Sequence, residues 1–549
     1  MRPTTEAALG LGCLFALCSA VASADTPLQE PLRAPLDPTK YKAACPDYKH
    51  YAMHQHPPYS EGPMQLPFQR PSKHCRTFES PLVEKVIEDM NKRIVDKDLA
   101  RIFENAFPNT LDTTVRWHVD GTQKKAKASR KHGLDEAWKG PQSFIVTGDI
   151  NAEWLRDSTN QLAQYQSLAK KDKDIHTLIL GAINTQAEYV IGSPYCNAFQ
   201  PPAPSGLQPT YQGDGDVVHP AVEPSFVFEC KYELDSLAHF LSLTNQFYNH
   251  TGSTEFLTPR WLLALDTLMD LLQAQSKPTF NNETGSYDRN EYSFQRRTDT
   301  GTETLNLGGV GNPLGDDTGL IRSAFRPSDD ATILGFFIPA NAMISVELKR
   351  SAAMLGKAGK KNLAASLRAR GEEIEAGIWE NGVVHTKKYG KVFAFEVDGF
   401  GSSILMDDAN LPSLLALPLL GFVNADNEVY KNTRKMILSK KGNPYYLTGI
   451  EFHGIGGPHI GLSHAWPMSV LVQAMTSESD DEITNCLGLV KNVSRNGLIH
   501  ESINVNYSRD YTRSWFAWAN SVFAQTILDL AQRKPHLLFG KGAEPYVLG

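Results

Sequence analysis

The chain has 549 residues, 41% hydrophobic and 21% charged, with 54 Lys and Arg against 61 Asp and Glu for a net charge of −7. A chain of that size buries a large core, either as several average domains or as one architecture that does not split. Its basic residues form no long block, so it shows no electrostatic footprint for nucleic acid or an anionic membrane surface.

Residues 1–6 are short and polar with one arginine, and residues 7–21 are apolar and rich in small side chains. Ala22, Ser23 and Ala24 then fit the small-residue rule for signal peptidase. Residues 1–24 therefore read as a signal peptide, cut between Ala24 and Asp25. The apolar run is short for an uncleaved anchor, and no later run is long enough to cross a bilayer. The mature chain is expected to be secreted, extracellular or in the cell wall, with no membrane after cleavage. Of seven cysteines, Cys13 and Cys18 leave with the signal. The remaining five allow two bridges and one thiol, and an oxidising compartment favours bridging. Proximity in sequence alone suggests Cys45–Cys75 and Cys196–Cys230, leaving Cys486. No CxxC pair exists, so a zinc site is not expected. Sequons at Asn249, Asn282, Asn492 and Asn506 support passage through a eukaryotic secretory route.

Residues 25–79 form a Pro-rich N-terminal arm without helical or strand period, suited to a staple by Cys45–Cys75. Residues 80–549 are the expected compact domain, and they read as helix after helix. Ser80 and Pro81 make an N-cap and first-turn pair, followed by Leu82, Val83, Val86, Met90 and Ile94 on one face. Asn151 is expected to cap a helix through Leu155, Leu162 and Tyr165. Thr258 and Pro259 repeat the capping signal before the stripe Trp261, Leu262, Leu265, Leu268, Met269 and Leu272. Leu363, Leu367, Ile374 and Ile378 mark another helix, and a last long one starts near Ser514. Long Gly-, Pro- and Asp-rich loops at 196–226, 276–330 and 442–463 lie between them. Loops of that length inside a compact domain usually carry function. Paired helices with such loops suggest an all-α toroid with a cleft at one end.

Acidic and aromatic clusters fall at the loop–helix junctions. A glycosidase needs two carboxyl groups, one protonated and one ionised, held roughly 5–5.5 Å apart for retention or 6.5–9.5 Å for inversion. It also needs polar groups for sugar hydroxyls and an aromatic platform. The acids, Arg156 and Arg326, and Trp154, Trp466, Trp515 and Trp518 supply these types. Plainer readings stand beside this. Arg156 pairs with a neighbouring acid as readily as with a ligand, and Glu153 and Asp157 share a helical face at i,i+4. Glu233 and Asp235, at i,i+2, point apart on a helix, so at most one faces the cleft. Asp329-Asp330 and Asp407-Asp408 read as caps or turns, and the latter pair gets no further role. Residues 454–457 lack the spacing of a phosphate loop. His459 and His464 suit hydrogen bonding better than metal. Tryptophans near 515 are more often core than platform.

Seven segments, 148–158, 232–237, 326–330, 396–401, 454–459, 500–502 and 513–520, resemble in order and spacing glycoside hydrolase family 125, the metal-independent exo-acting α-1,6-mannosidases. The resemblance spans about residues 80–535, and the arm and signal suggest a fungal-type secreted member. It implies an (α/α)6 barrel, inversion at the anomeric carbon, no cofactor and no metal. It casts Asp235, in Glu-x-Asp-Ser-Leu, as general acid and Glu501, in His-Glu-Ser, as general base. Asp235 must then stay protonated and Glu501 ionised. Trp154, Arg156, Asp157, Asp329, Asp330, Asp398, His459, Trp466 and His500 are the residues expected to hold the substrate, an α-mannoside of N-glycan or mannan. A calcium-dependent α-mannosidase of the secretory pathway and a catalytically inactive glycan-binding protein are the alternatives.

Overall fold

Ser80 accepts a hydrogen bond from the Val83 amide and Pro81 opens the first long helix, α1 (Pro81–Arg93). α2 (Lys97–Ala106) follows. The computed structural model describes residues 45–122, 140–213 and 215–547. The expected signal peptide and residues 25–44 of the arm lie outside the described residues.

The helices divide into two kinds by which faces they bury. α3 (Leu155–Ala163), α5 (Leu234–Thr251), α7 (Ile338–Lys357), α10 (Pro467–Met475) and α12 (Ala517–Arg533) bury side chains around most of their circumference. A helix apolar or buried on all sides belongs inside the molecule. These inner helices touch in succession: α3 packs on α5 and α12, α5 on α7, and α10 on α12. α4 (Lys173–Gly192), α6 (Pro259–Gln275), α8 (Lys361–Asn381), α9 (Glu428–Ile437) and α11 (Asp480–Val493) fill the chain between them. α8 buries the stripe Ala364, Leu367, Gly371, Ile374 and Ile378 and turns its other side outward. It packs on α7, while α11 packs on α10 and α4 on α5 and α6.

The class is helical, but the long loops are not structureless. Among the described residues, two- and three-stranded antiparallel sheets pin them, giving backbone groups that leave the helices their hydrogen-bond partners. β1 (Glu153–Trp154), β2 (Ala198–Phe199) and β3 (Val227–Glu229) form one such sheet, with Glu153 opposite Phe199 and Ala198 opposite Glu229. β1 leads directly into α3. Here the expected Asn151 cap is wrong: the helix starts at Leu155, because Glu153 and Trp154 are taken by the sheet. A second pair, β4 (His464–Ala465) and β5 (Ile503–Asn504), leads into α10. The last helix begins at Ala517 rather than Ser514. The N-termini of α3, α5, α10 and α12 therefore follow sheets or loops that carry the acidic and aromatic clusters. Helix N-termini carry partial positive charge that favours carboxylates.

Both expected disulfides form, Cys45–Cys75 and Cys196–Cys230, and Cys486 is free and buried. The second ties β2 to the segment before α5 and fixes the neighbours Asn197 and Lys231. Residues 45–79 of the arm pack on the helices. Leu66 enters the main core, and Arg70 reaches inward to Asp112 at 2.7 Å and Glu84 at 2.6 Å.

Candidate active site

A solvent-open cavity, with about 460 Å³ of space including that shared with solvent, lies where those loops converge. Of the residues expected to serve a substrate, Trp154, Arg156, Asp157, Asp329, His459, Trp466 and Glu501 line it. Thr147, Asn410, Arg513 and Trp518 line it too.

One wall is built around Arg156, in the first turn of α3. Its Nη1 lies 2.5 Å from Glu233 Oε2 and 3.7 Å from Asp235 Oδ2, its Nε 3.4 Å from Asp157 Oδ2, and its Nη2 3.6 Å from Asp329 Oδ1. Glu233 and Asp235 thus meet the same guanidinium, though neither lines the cavity, in keeping with the expectation that at most one would face it. Glu233 is extended, at the cap position before α5, and Asp235 lies inside its first turn. The i,i+2 divergence of a helix does not apply to them. Asn197 adds a second clasp, its Nδ2 donating to Glu233 Oε1 at 3.3 Å and Asp329 Oδ1 at 3.2 Å. Asp329 holds a left-handed backbone, φ 67°, which a non-glycine residue adopts only where its surroundings enforce it.

Four carboxyls share one guanidinium, with Lys231 nearby, and they cannot all ionise. Burial pushes Asp157 up to about 7 against the pull of Arg156. Asp235 reaches about 7 for the same reason. Burial lifts Glu233 well above the ordinary range. Asp329 also feels burial, but Arg156, Lys231 and the hydrogen bond with Glu233 hold it below the usual carboxylate range. Of Glu233 and Asp329, only Asp329 lines the cavity.

Glu501 forms the other wall. Its Oε1 accepts from Arg513 Nε at 3.1 Å, and Arg513 Nη1 donates to Asp149. His459 lies 3.7 Å from Asp330. Burial lowers it, but Asp330, with Glu501 and Asp329 behind it, prevails and raises it to about 9. The indole N–H groups of Trp154, Trp466 and Trp518, all lining residues, find no acceptor among the described residues. Arg156 lies over the Trp518 ring at 5.3 Å. The core reading of the tryptophans near 515 holds for both Trp515 and Trp518, which are buried, and Trp518 also edges the cavity.

The structure places four expected residues elsewhere. Asp235 is fully buried and touches Arg156 but does not line the cavity. Asp330 lies behind the cavity residues, accepting from Ser328 and facing His459. Asp398 caps a turn, accepting from the Phe400 and Ser402 amides. His500 stacks on Tyr511 and bonds the Arg513 carbonyl through Nδ1 at 2.7 Å; it shapes the loop that carries Glu501. Asp407 and Asp408 act as turn acceptors, as expected, for the amides of Leu414 and Leu415 and for Asn410. Asn197 escaped the sequence reading because an isolated Asn beside Cys196 carries no motif. Arg513 stood in a quoted segment, but nothing in sequence paired it with Glu501.

The chain is 53% identical over 496 residues to the meiotically up-regulated gene 157 protein of Schizosaccharomyces pombe, covering 90% of this chain and 94% of that one. Among solved structures, it is similar to a Streptococcus pneumoniae protein described among metal-independent alpha mannosidases, in a non-productive complex with alpha-1,6-mannobiose. That match has a TM-score of 0.72 and 30% identity, over 82% of this chain and 99% of that one. The family model of metal-independent alpha-mannosidases, GH125, matches residues 96–528, and this chain, a glycoside hydrolase, belongs to that family.

Proposed function

We propose that the chain is a secreted, exo-acting, inverting α-1,6-mannosidase that removes terminal mannose from N-glycan or mannan. One observation carries this: Glu501, clasped by Arg513, lines a single cavity with three tryptophans and with Arg156, which touches the buried Asp235. The inner helices α3, α5, α7, α10 and α12, with α2, α4, α8 and α11 packed against them, support an (α/α)6 barrel. The mannobiose held by the bacterial relative supports the linkage. Two disulfides are consistent with the secretory pathway, and among the described residues no helix is long and apolar enough to cross a membrane. Membership of a metal-independent family speaks against the calcium-dependent alternative.

In this reading Glu501 takes a proton from a water, whose oxygen attacks the anomeric carbon. The glycosidic C–O bond breaks, and the leaving oxygen takes a proton from the acid. The acid must be protonated before it donates, so Asp235, which burial holds protonated up to about 7 and which lies 3.7 Å from the cavity-lining Arg156, keeps the role the resemblance gave it. One observation favours Asp329 as a second reading, namely that it lines the cavity.

Proton NMR of α-1,6-mannobiose during hydrolysis, with EDTA present, tests the whole reading. β-Mannose as the first product supports it. α-Mannose first means retention and removes the acid–base pair as drawn, and no cleavage removes the linkage.

A further inference from the structure

The arm, residues 45–79, precedes the segment matched by the family model, which begins at 96. It nevertheless lies against the back of the loop that carries Glu501 and Arg513. That loop closes on itself: Phe516 N donates to Ile499 O at 2.9 Å, His500 Nδ1 bonds Arg513 O, and the Ser502 amide donates to Thr512 Oγ1 at 3.2 Å. Glu501 stands on one limb and Arg513 on the other.

The arm grips this loop at three places. Tyr48 sets its ring edge-on to Trp515, with centroids 4.9 Å apart, and Ala52 joins Leu498, Trp515 and Ala517 in a separate apolar cluster. Trp515 in turn packs on Gly148, where a Cβ would come within 2.9 Å of the indole; the next residue, Asp149, holds Arg513. At the other end of the loop, Asn105 Nδ2 donates both to Pro67 O of the arm at 3.0 Å and to Gly497 O at 2.9 Å. Third, Asn109 Nδ2 reaches Tyr48 Oη at 3.5 Å while its Oδ1 accepts from Asn520, whose own Oδ1 accepts from the Ile499 amide at 2.9 Å. The Tyr48 hydroxyl is fixed by donating to Gln69 O at 2.7 Å, and Cys45–Cys75 closes the arm around all of these.

We infer that the disulfide-closed arm is a positioning element of the active site, with Tyr48 holding Trp515, and through it the Glu501–Arg513 pair, in register. The inference rests on the reading of Glu501 as base. A misplacement of about 1 Å, transmitted from outside the chemistry, is enough to cost up to roughly 100-fold in turnover. Positioning of the base affects the chemical step, whereas the groups around Arg156 that grip the sugar do not touch the arm.

The test is kcat and KM on α-1,6-mannobiose for Tyr48→Ala, Tyr48→Phe, the Cys45→Ser/Cys75→Ser double variant and Glu501→Ala. Tyr48→Ala and the double variant are expected to lower kcat roughly tenfold with KM within about twofold, while Tyr48→Phe, which keeps the ring edge and loses only the hydroxyl's bonds, is expected to lower it by less than Tyr48→Ala. A folded Tyr48→Ala or double-serine protein with wild-type kcat overturns the inference, as does a loss confined to KM. Should Tyr48→Ala not fold, the double variant decides alone, since it leaves every contact side chain in place. An active Glu501→Ala overturns the base assignment itself; an inactive one beside an unimpaired Tyr48→Ala overturns only the role of the arm.

Discussion

Arg513 bridges two acids, its Nε 3.1 Å from Glu501 Oε1 and its Nη1 on the Asp149 carboxylate. A guanidinium can hold one acid at each edge because its donors form a rigid planar fork; an ammonium cannot keep both directions at once. Arg513→Lys is therefore expected to lower kcat roughly 10- to 100-fold while changing KM little, since the loss falls on the orientation of the base. Steady-state kinetics on mannobiose decides it. A wild-type kcat in Arg513→Lys would mean that Glu501 does not depend on this clasp.

The choice between Asp329 and Asp235 as acid separates by leaving group. A general acid matters where the departing oxygen needs a proton and matters little where the departing group is already a stable anion. Asp235→Asn should reduce mannobiose turnover roughly 10²- to 10⁴-fold and spare much of the activity on an aryl mannoside with a strongly acidic phenol. Asp329→Asn should weaken both substrates alike, through the loss of its contact with Arg156. The reverse pattern would give the role to Asp329.

Much of this site was legible in sequence because it is written in contiguous clusters. Trp154, Arg156 and Asp157 sit at one helix start, and Glu501 lies in a short motif beside His500, so each was found without knowing the fold. Three kinds of information were not local. Asn197 reaches Asp329 across 132 positions. Glu233 and Asp235 both meet Arg156, which periodicity does not show because it assumes a helix where the chain is still extended at Glu233. The burial of Asp235 depends on Arg156 and on the packing of α5 against α3 and α7, which no spacing reveals. The helical class could be read from apolar stripes, but the short sheets that aim the loops could not, since strands of two or three residues are too brief for a period-2 pattern.

Arg156 is the cation at the centre of the acidic wall, so its removal should be felt in the fold as well as in activity. Arg156→Met leaves Glu233, Asp157, Asp235 and Asp329 to repel one another in a buried setting. Breaking such a buried arrangement by deleting one partner typically costs about 3–5 kcal/mol. Part of that is relieved if further carboxyls take up protons, so the loss should shrink as pH falls. Denaturant unfolding of wild type and variant at two pH values measures it. An Arg156→Met protein of wild-type stability near neutral pH would show that the wall is already largely neutral.

Glu153 offers the cleanest link between burial and pH. Its carboxyl is fully buried, accepts from the Ile145 amide at 3.1 Å, and is pushed by burial from 4.5 to about 8. Below 4.5 folded and unfolded chains both hold the proton. Between 4.5 and 8 the folded chain keeps a proton that the unfolded chain has released, so the folded state binds more protons and stability falls as pH rises through that window. Glu153→Gln keeps an oxygen for Ile145 and cannot ionise. Near pH 5, where the carboxyl is still neutral in the folded chain, the two proteins should be close in stability. By about pH 9 the wild type pays the desolvation of a buried carboxylate, and the variant should be more stable by at least about 1 kcal/mol. The quantity to follow is the difference between the two unfolding free energies as a function of pH. A difference that stays flat across the window would mean that Glu153 ionises freely in the folded chain, through a local opening of β1 that brings water to it.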